Sequence, residues 1–216
     1  MARVSDLEVL QLLAAAGVPV PRFARAGSAK EAGRAAEALG YPVVMKILST
    51  DIEHKSDVGG VVVGLVGREA VEAAHAKMMA DVGRAAPAAR LDGVIILKMV
   101  PPGREVIVGV VQDATFGPVV MFGLGGVLTE LVKDVSFRAI PLTEPDAREL
   151  IAETRAPQYL GAFRGRPPAD TEALVGLILA VSRFVEAHPE VDQLDLNPVI
   201  VGPTGAVAVD ARMLVR

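Results

Sequence analysis

The sequence predicts an α/β chain of the α+β kind, long enough for one large domain or two small ones. Segments with helical apolar spacing, opened by capping residues and closed by glycine, alternate with apolar runs of strand length. In the middle of the chain, short apolar strands follow one another with little but turn residues between them, as in an antiparallel meander. With 216 residues and 51% hydrophobic composition, the chain can bury a core without disulfides, and it contains no cysteine. Aromatic residues make up 4% and tryptophan is absent, so that core is aliphatic.

The elements follow in order. Ser5 with Glu8 reads as a capping box, and Val9, Leu10, Leu12, Leu13 and Ala16 give one helical face that stops at Gly17. A short extended piece runs from Pro21 to Ala26. Ser28 with Glu31 opens a second helix, whose Ala32, Ala35, Ala36 and Leu39 allow close packing. Gly40 and Pro42 end it, and the buried strand Val43-Val44-Met45 begins, with Lys46 set into it. After a polar loop comes the strand Val61-Val62-Val63, then a helix from Gly67 to about Arg84 with Val71, Ala74, Met78 and Val82 on one side. His75 in that helix reads as a surface residue. The seam near Ala85 to Arg90 is the weakest in the chain.

Leu91 to Met99, Glu105 to Val111 and Gly117 to Phe122 read as the strands of the meander. Gly123 to Gly126 breaks it, with Gly125-Gly126 read as turn residues. Thr143 caps a helix carrying Pro145 and Asp146 in its first turn. Tyr159 to Pro168 reads as a loop holding Arg164 and Arg166. Asp170 caps the clearest helix, with Leu174, Leu177, Ile178, Val181, Phe184 and Val185 on one face, and His188 at its end. Two strands close the chain, Gln193 to Val201 and Ala206 to Val209.

Several function classes are excluded or disfavoured. A net charge of −4 with no basic run argues against nucleic acid held by bulk charge. No apolar run reaches the length of a membrane span, and MARVSDLEVL has acids where a signal peptide has an apolar core. The expectation is a cytoplasmic protein. There is no G-x-x-x-x-G-K-[ST] phosphate loop and no strand followed by G-x-G-x-x-G and a helix.

Two stretches carry chemistry. In YPVVMKILSTDIEHKSDVGGVVVG, a lysine at the end of a buried strand is costly unless it meets an anion. The paired Gly59-Gly60 lets backbone amides come close to one. The stretch reads as a phosphate grip containing Lys46, His54 and Lys55; the competing reading is a hairpin with a solvated loop and a snorkelling lysine. In LDLNPVIV, Asp195 and Asn197 share one strand face. If Gly202-Pro203-Thr204-Gly205 form the connecting loop, Val201 pairs with Ala206 and Asn197 stands opposite Asp210, Cβ atoms about 5 Å apart. Asp195 lies one diagonal away. Three oxygen-bearing side chains on one patch suit Mg²⁺ beside waters and phosphates; the competing reading is the wet face of an edge hairpin. Pro198 belongs at an edge or a bulge.

Two strand lysines, a Gly-Gly loop and an acidic hairpin together resemble the ATP-grasp fold, in which nucleotide is held between two sheets. More closely, YPVVMKILSTDIEHKSDVGGVVVGL, REVIVGVVQDATFGPVVMFGLGGVLTELVKDVSFRAIPL and LDLNPVIV resemble the nucleotide-binding β subunit of ADP-forming acyl-CoA synthetases (acetate–CoA ligases), related to succinyl-CoA synthetase. The resemblance spans the whole chain as one ATP-grasp domain, 1–216, with a small subdomain over about 22–97 and a large one over 98–216 plus the N-terminal helix. It implies the reaction acyl-CoA + ADP + phosphate ⇌ carboxylate + CoA + ATP, with ATP/ADP and Mg²⁺ bound. It also implies a partner α subunit, in an α2β2 assembly, that carries the CoA site and a phosphorylated histidine.

On that resemblance His54 relays the phosphoryl group, since imidazole is a nucleophile near neutrality. Lys46 and Lys55 offset phosphate charge, and the Gly59 and Gly60 amides hold phosphate oxygens. Lys98, Met99 and Val100 form the hinge that meets adenine, and Glu105 receives the ribose hydroxyls. Asp195, Asn197 and Asp210 match the metal positions. Arg138 either grips phosphate or pairs with Asp134; Arg164 and Arg166 meet a partner, a nucleotide or only solvent. Two rivals stand: another ATP-grasp carboxylate ligase, which would not need His54, and a non-catalytic nucleotide- or acyl-CoA-sensing module, which would need neither His54 nor the acidic patch. The acid substrate and the choice of ADP over GDP are not readable from these residues.

Overall fold

In the computed structural model, residues 1–52, 54–125, 134–162 and 165–216 are described. The chain separates into two compact units, one of Met1–Val4, Glu8–Val20 and Val100–Arg216, the other of Ser5–Leu7 and Pro21–Met99.

The second unit holds a four-stranded antiparallel sheet, ordered β2 (Phe23–Ala26), β5 (Val94–Lys98), β3 (Val43–Ile47), β4 (Val61–Leu65). Helices α2 (Ala29–Leu39) and α3 (Arg68–Ala85) share a core with one of its faces. Met45 and Ile47 point into that core with Val43, Val94 and Ile96, so strand alternation sends Lys46 to the opposite face. Ser28 caps α2 by accepting from the Glu31 amide at 3.3 Å. Only half of the expected box forms, because the Glu31 carboxylate takes the Gly27 amide at 2.7 Å. On α3 the buried stripe is Val71, His75, Met78 and Val82. His75 is therefore buried, at 8% exposure, and the expectation of a surface histidine is corrected: it occupies a core position of the stripe.

The first unit is built on a seven-stranded antiparallel sheet. Its path runs β1 (Ala2–Arg3), β11 (Arg212–Val215), β9 (Val191–Val201), β6 (Arg104–Asp113), β7 (Gly117–Leu124), β8 (Val135–Ala139), with β10 (Ala206–Ala208) also paired to β9. Helix α1 (Asp6–Ala15) from Glu8 onward, with α4 (Glu144–Ala152), α5 (Ala156–Leu160) and α6 (Thr171–Ala187), contributes to the core on one face. Val106, Val108 and Val110 alternate into that core with Val120, Phe122, Leu194 and Leu196. Two of the expected caps form here. Thr143 and Asp146 form a reciprocal capping box on α4, and Asp170 accepts the Ala173 amide at 3.0 Å on α6.

Three expectations change. The strand β5 pairs with β2 and β3, not with β6, so the meander is β6–β7–β8. Tyr159 lies in the short helix α5 rather than a loop. The chain end adds β11, which sets β9 inside the sheet between β6 and the β10/β11 side. Of the acidic hairpin, β9 is thus internal, while β10 pairs with β9 alone. Pro198 sits at a bulge: β9 spends one more residue than β6 between Val199 and Leu196. Among the described residues no helix is long and apolar enough to cross a membrane.

Candidate functional site

The grip stretch folds as the β3–β4 pair with a compact turn between the strands. Residues Lys55–Val58 form a 3₁₀ turn that Gly59 ends with φ +74°, a conformation glycine adopts without strain. The Gly59 amide turns back to the Ser56 carbonyl at 3.2 Å, and the Gly60 amide to the Lys55 carbonyl at 2.7 Å. Gly60 in turn accepts from the Ile47 amide at 2.8 Å. Both glycine amides are thus engaged in closing the turn. A Cβ on Gly60 would lie 2.6 Å from Ile47 Cγ2, so glycine is what lets the turn sit against β3.

His54 stands at the head of this turn and is exposed. Lys55 points the other way. Its ammonium is buried and meets the Asp6 carboxylate at 2.6 Å, which sequence spacing gave no means of finding. Lys46 is half-buried and pairs in register with Val61 and Ile95, on the sheet face away from α2 and α3. Lys98 is held structurally: its ammonium donates to the carbonyls of Tyr41 at 2.6 Å and Gly40 at 3.2 Å, completing the end of α2.

The backbone around the hinge is partly committed as well. The Lys98 amide bonds the Arg22 carbonyl at 2.8 Å and the Met99 amide the Pro42 carbonyl at 3.1 Å. Within the expected hinge, the amides of Lys98 and Met99 are thus engaged. Glu105, exposed at the start of β6, gives its amide to the Tyr159 hydroxyl at 3.3 Å and leaves its carboxylate on the face opposite the helices.

The acidic hairpin keeps one register on both sides of a break. Ala206 faces Val201 and Ala208 faces Val199; beyond the break Arg212 faces Asp195. That register sets Asp210 across from Asn197, and the Val209 amide still reaches the Pro198 carbonyl at 3.1 Å. Asp195 is flanked in register by Gly109 of β6 and Arg212 of β11, away from the buried Leu194 and Leu196. Burial raises its pKa; Arg212 opposes this and the Asp210 carboxylate adds to it. Two carboxylates close enough to repel, with an amide beside them, form a donor set that a hard cation relieves. No cluster of three or more His, Cys, Asp or Glu suited to a metal occurs among the described residues.

Arg138 does not pair with Asp134. Its guanidinium bonds Glu153 at 2.6 Å and Glu149 at 3.4 Å, while Asp134 accepts the Arg155 amide at 2.6 Å. Arg166 lies beside a cavity together with Arg104, which sequence reading did not single out. Gly126 and Arg164 lie outside the described residues.

The ATP-grasp domain family model matches residues 2–215. The chain is 45% identical over 207 residues to the β subunit of acetate–CoA ligase [ADP-forming] I of Pyrococcus furiosus, covering 96% of this chain and 89% of that one. It is 45% identical over 212 residues to acetate–CoA ligase [ADP-forming] I of Archaeoglobus fulgidus, covering 98% of this chain but 31% of that longer protein. Among solved structures it superposes on dinucleotide forming acetyl-coenzyme A synthetase 1 of Ca. Korarchaeum cryptofilum. The complex of that protein with coenzyme A and Ca-AMPCP gives a TM-score of 0.96 at 41% identity, covering 100% of this chain and 94% of that one. Its complex with coenzyme A and Mg-AMPPCP, with a phosphohistidine segment pointing towards the nucleotide binding site, gives 0.87 at 38% identity, covering 99% and 93%.

Proposed function

The chain belongs to the ATP-grasp domain family, and from that premise we propose that it is the nucleotide-binding part of an ADP-forming acyl-CoA synthetase. With a partner it interconverts acyl-CoA, ADP and phosphate with carboxylate, CoA and ATP. The observation that carries this reading is the match, over nearly the full length of both chains, to a β subunit of an ADP-forming acetate–CoA ligase. The partner supplies the CoA site and a phosphohistidine, either as a separate subunit, by analogy with the Pyrococcus protein, or within one polypeptide, by analogy with the longer Archaeoglobus protein. On this reading the protein works in the cytoplasm, one place where ADP, phosphate and CoA are all present.

His54 is the residue assigned to the relay. It is exposed at the head of a turn whose own hydrogen bonds are closed, and among the described residues no side chain hydrogen-bonds its imidazole. A ring nitrogen attacks the phosphorus of the partner's phosphohistidine as that N–P bond breaks. A terminal oxygen of ADP then takes the phosphoryl group from His54, regenerating free imidazole and forming ATP. Lys46 offsets phosphate charge from the sheet face it shares with Val61 and Ile95. Lys55 acts through Asp6, fixing the turn that presents His54. The Val100 amide reads the adenine edge and Glu105 accepts from ribose hydroxyls.

Asp195, Asn197 and Asp210 would hold Mg²⁺. Bound there, Mg²⁺ supplies charge neutralisation along the phosphates. The test is calorimetric titration of the chain with ADP and ATP, with Mg²⁺ and with EDTA, alongside Asp210→Ala. The reading expects Mg²⁺-dependent binding that the variant loses, and it fails if the chain and its partner together bind no nucleotide. A His54→Ala enzyme that keeps full synthetase activity with its partner would remove the relay and favour another kind of ATP-grasp ligase.

A further inference from the structure

The face of the seven-stranded sheet that carries the helices holds a second charged feature, on the side opposite Asp195. Arg104 opens β6 and precedes Glu105; alternation sends Glu105 to one face and Arg104 to the other, in line with Val106, Val108 and Val110. Arg104 is buried, at 8% exposure. Its guanidinium lies over the Tyr159 ring, 5.3 Å from the centroid. Its hydrogen bond is a long one, 3.4 Å from Nη2 to the Gly161 carbonyl. Among the described residues no carboxylate pairs with it. The contrast with Lys55 is direct: that buried cation has Asp6 at 2.6 Å. A guanidinium taken out of water without a counter-charge is unfavourable and calls for an anion.

Arg104 opens onto a cavity of about 300 Å³, lined also by Pro102, Arg166, Pro167, Val201 and Pro203. The volume is at the lower bound of small-molecule sites. Arg166 brings a second guanidinium to the same space, and among the described residues no acidic side chain lines it. Two planar forks over apolar and proline walls match the paired oxygens of a carboxylate or a phosphate.

We propose that this cavity is a receptor for a small-molecule oxyanion, with Arg104 the buried anchor and Arg166 the outer contact. The site is separate from the side chains of Asp195, Asn197 and Asp210, because Arg104 and Asp195 project from opposite faces of one sheet, although the end of the same hairpin, Val201 to Pro203, forms one wall of the cavity. Its occupation does not depend on the nucleotide reading, so either stands if the other falls.

The test follows arginine Nε–Hε resonances of the ¹⁵N-labelled full chain during titration with sodium phosphate, and separately with sodium acetate, at ionic strength held constant with NaCl. A saturating shift at Arg104 and Arg166 is expected, weakened by roughly tenfold in Arg166→Gln as one charge-assisted contact is lost. In Arg104→Met the shift at Arg166 is expected to disappear. Saturation by phosphate alone assigns a phosphate-bearing ligand, and by acetate alone a carboxylate. Shifts that rise linearly with both salts, or that saturate unchanged in Arg166→Gln, overturn the proposal. Because Arg166 is exposed, its variant remains informative if loss of Arg104 unfolds the chain.

Discussion

Lys55 Nζ lies 2.6 Å from Asp6 Oδ2, with the two side chains 9% and 12% exposed. At that burial, removing one partner leaves a charge out of water and uncompensated. Asp6→Ala is therefore expected to destabilise the chain by about 3 kcal/mol or more, read from urea unfolding. Replacing both partners together, as Asp6→Leu with Lys55→Met, should recover much of that loss, since two apolar groups leave no stranded charge. A loss in Asp6→Ala of no more than ~1 kcal/mol, the range of surface pairs, would mean that the pair is solvated in the working protein.

The turn that presents His54 depends on the absence of a side chain at Gly60. A methyl group there would meet Ile47 Cγ2 at 2.6 Å and the Lys55 carbonyl oxygen at 2.9 Å. Neither is the free end of a flexible chain. Gly60→Ala is expected to cost about 1–3 kcal/mol by overpacking and to shift the turn. The measurement is a melting curve together with synthetase activity in the presence of the partner. An unchanged melting temperature would show that β3 and the turn have room that the structure denies them.

Much of this arrangement was legible because it rests on local rules. Thr143 and Asp170 cap their helices through side-chain oxygens, and the four-residue connection Gly202 to Gly205 pairs Val201 with Ala206. The register between Asn197 and Asp210 follows from that connection. What escaped reading depends on distant partners. An apolar strand such as Val94–Lys98 announces its burial but not its sheet, so its pairing with β2 and β3 instead of β6 was hidden. Asp6 carries no local sign that it will meet Lys55, nor Lys98 that it will bind the carbonyls of Gly40 and Tyr41. His75 is a different failure: Val71, His75, Met78 and Val82 do form a helical stripe, and the polarity of imidazole outweighed its position in the reading.

His75 gives the fold a dependence on pH. Its Nε2 is buried without a partner among the described residues, and desolvation lowers its pKa below the ordinary 6.5, with Glu31 opposing. The folded state then favours neutral imidazole. In acid the unfolded chain binds the proton more readily, so stability falls as pH drops from 6.5 towards the lowered value. His75→Leu should remove this loss. Unfolding free energies of the two proteins are expected to converge towards about pH 8 and separate towards about pH 5.5, the variant being the more stable there. Parallel curves would show that His75 charges freely in the folded protein.

Asp195 titrates in the opposite sense. Burial and the Asp210 carboxylate raise its pKa against the pull of Arg212, so the folded chain holds a proton over a range where the unfolded chain has lost it. Stability of the metal-free protein therefore falls as pH rises through that window above 3.8, and the penalty persists at neutral pH. Asp195→Asn removes the charge while keeping the shape. At neutral pH, without metal, the variant should melt at or above the wild-type temperature. With Mg²⁺ and ADP added, the wild-type chain should gain stability and the variant much less, since one of the oxygens offered to the cation is no longer charged. A purely structural Asp195 would lower the metal-free melting temperature on substitution and leave the gain from Mg²⁺ and ADP intact. The two outcomes differ in sign for the metal-free protein, so one pair of melting curves per chain separates them.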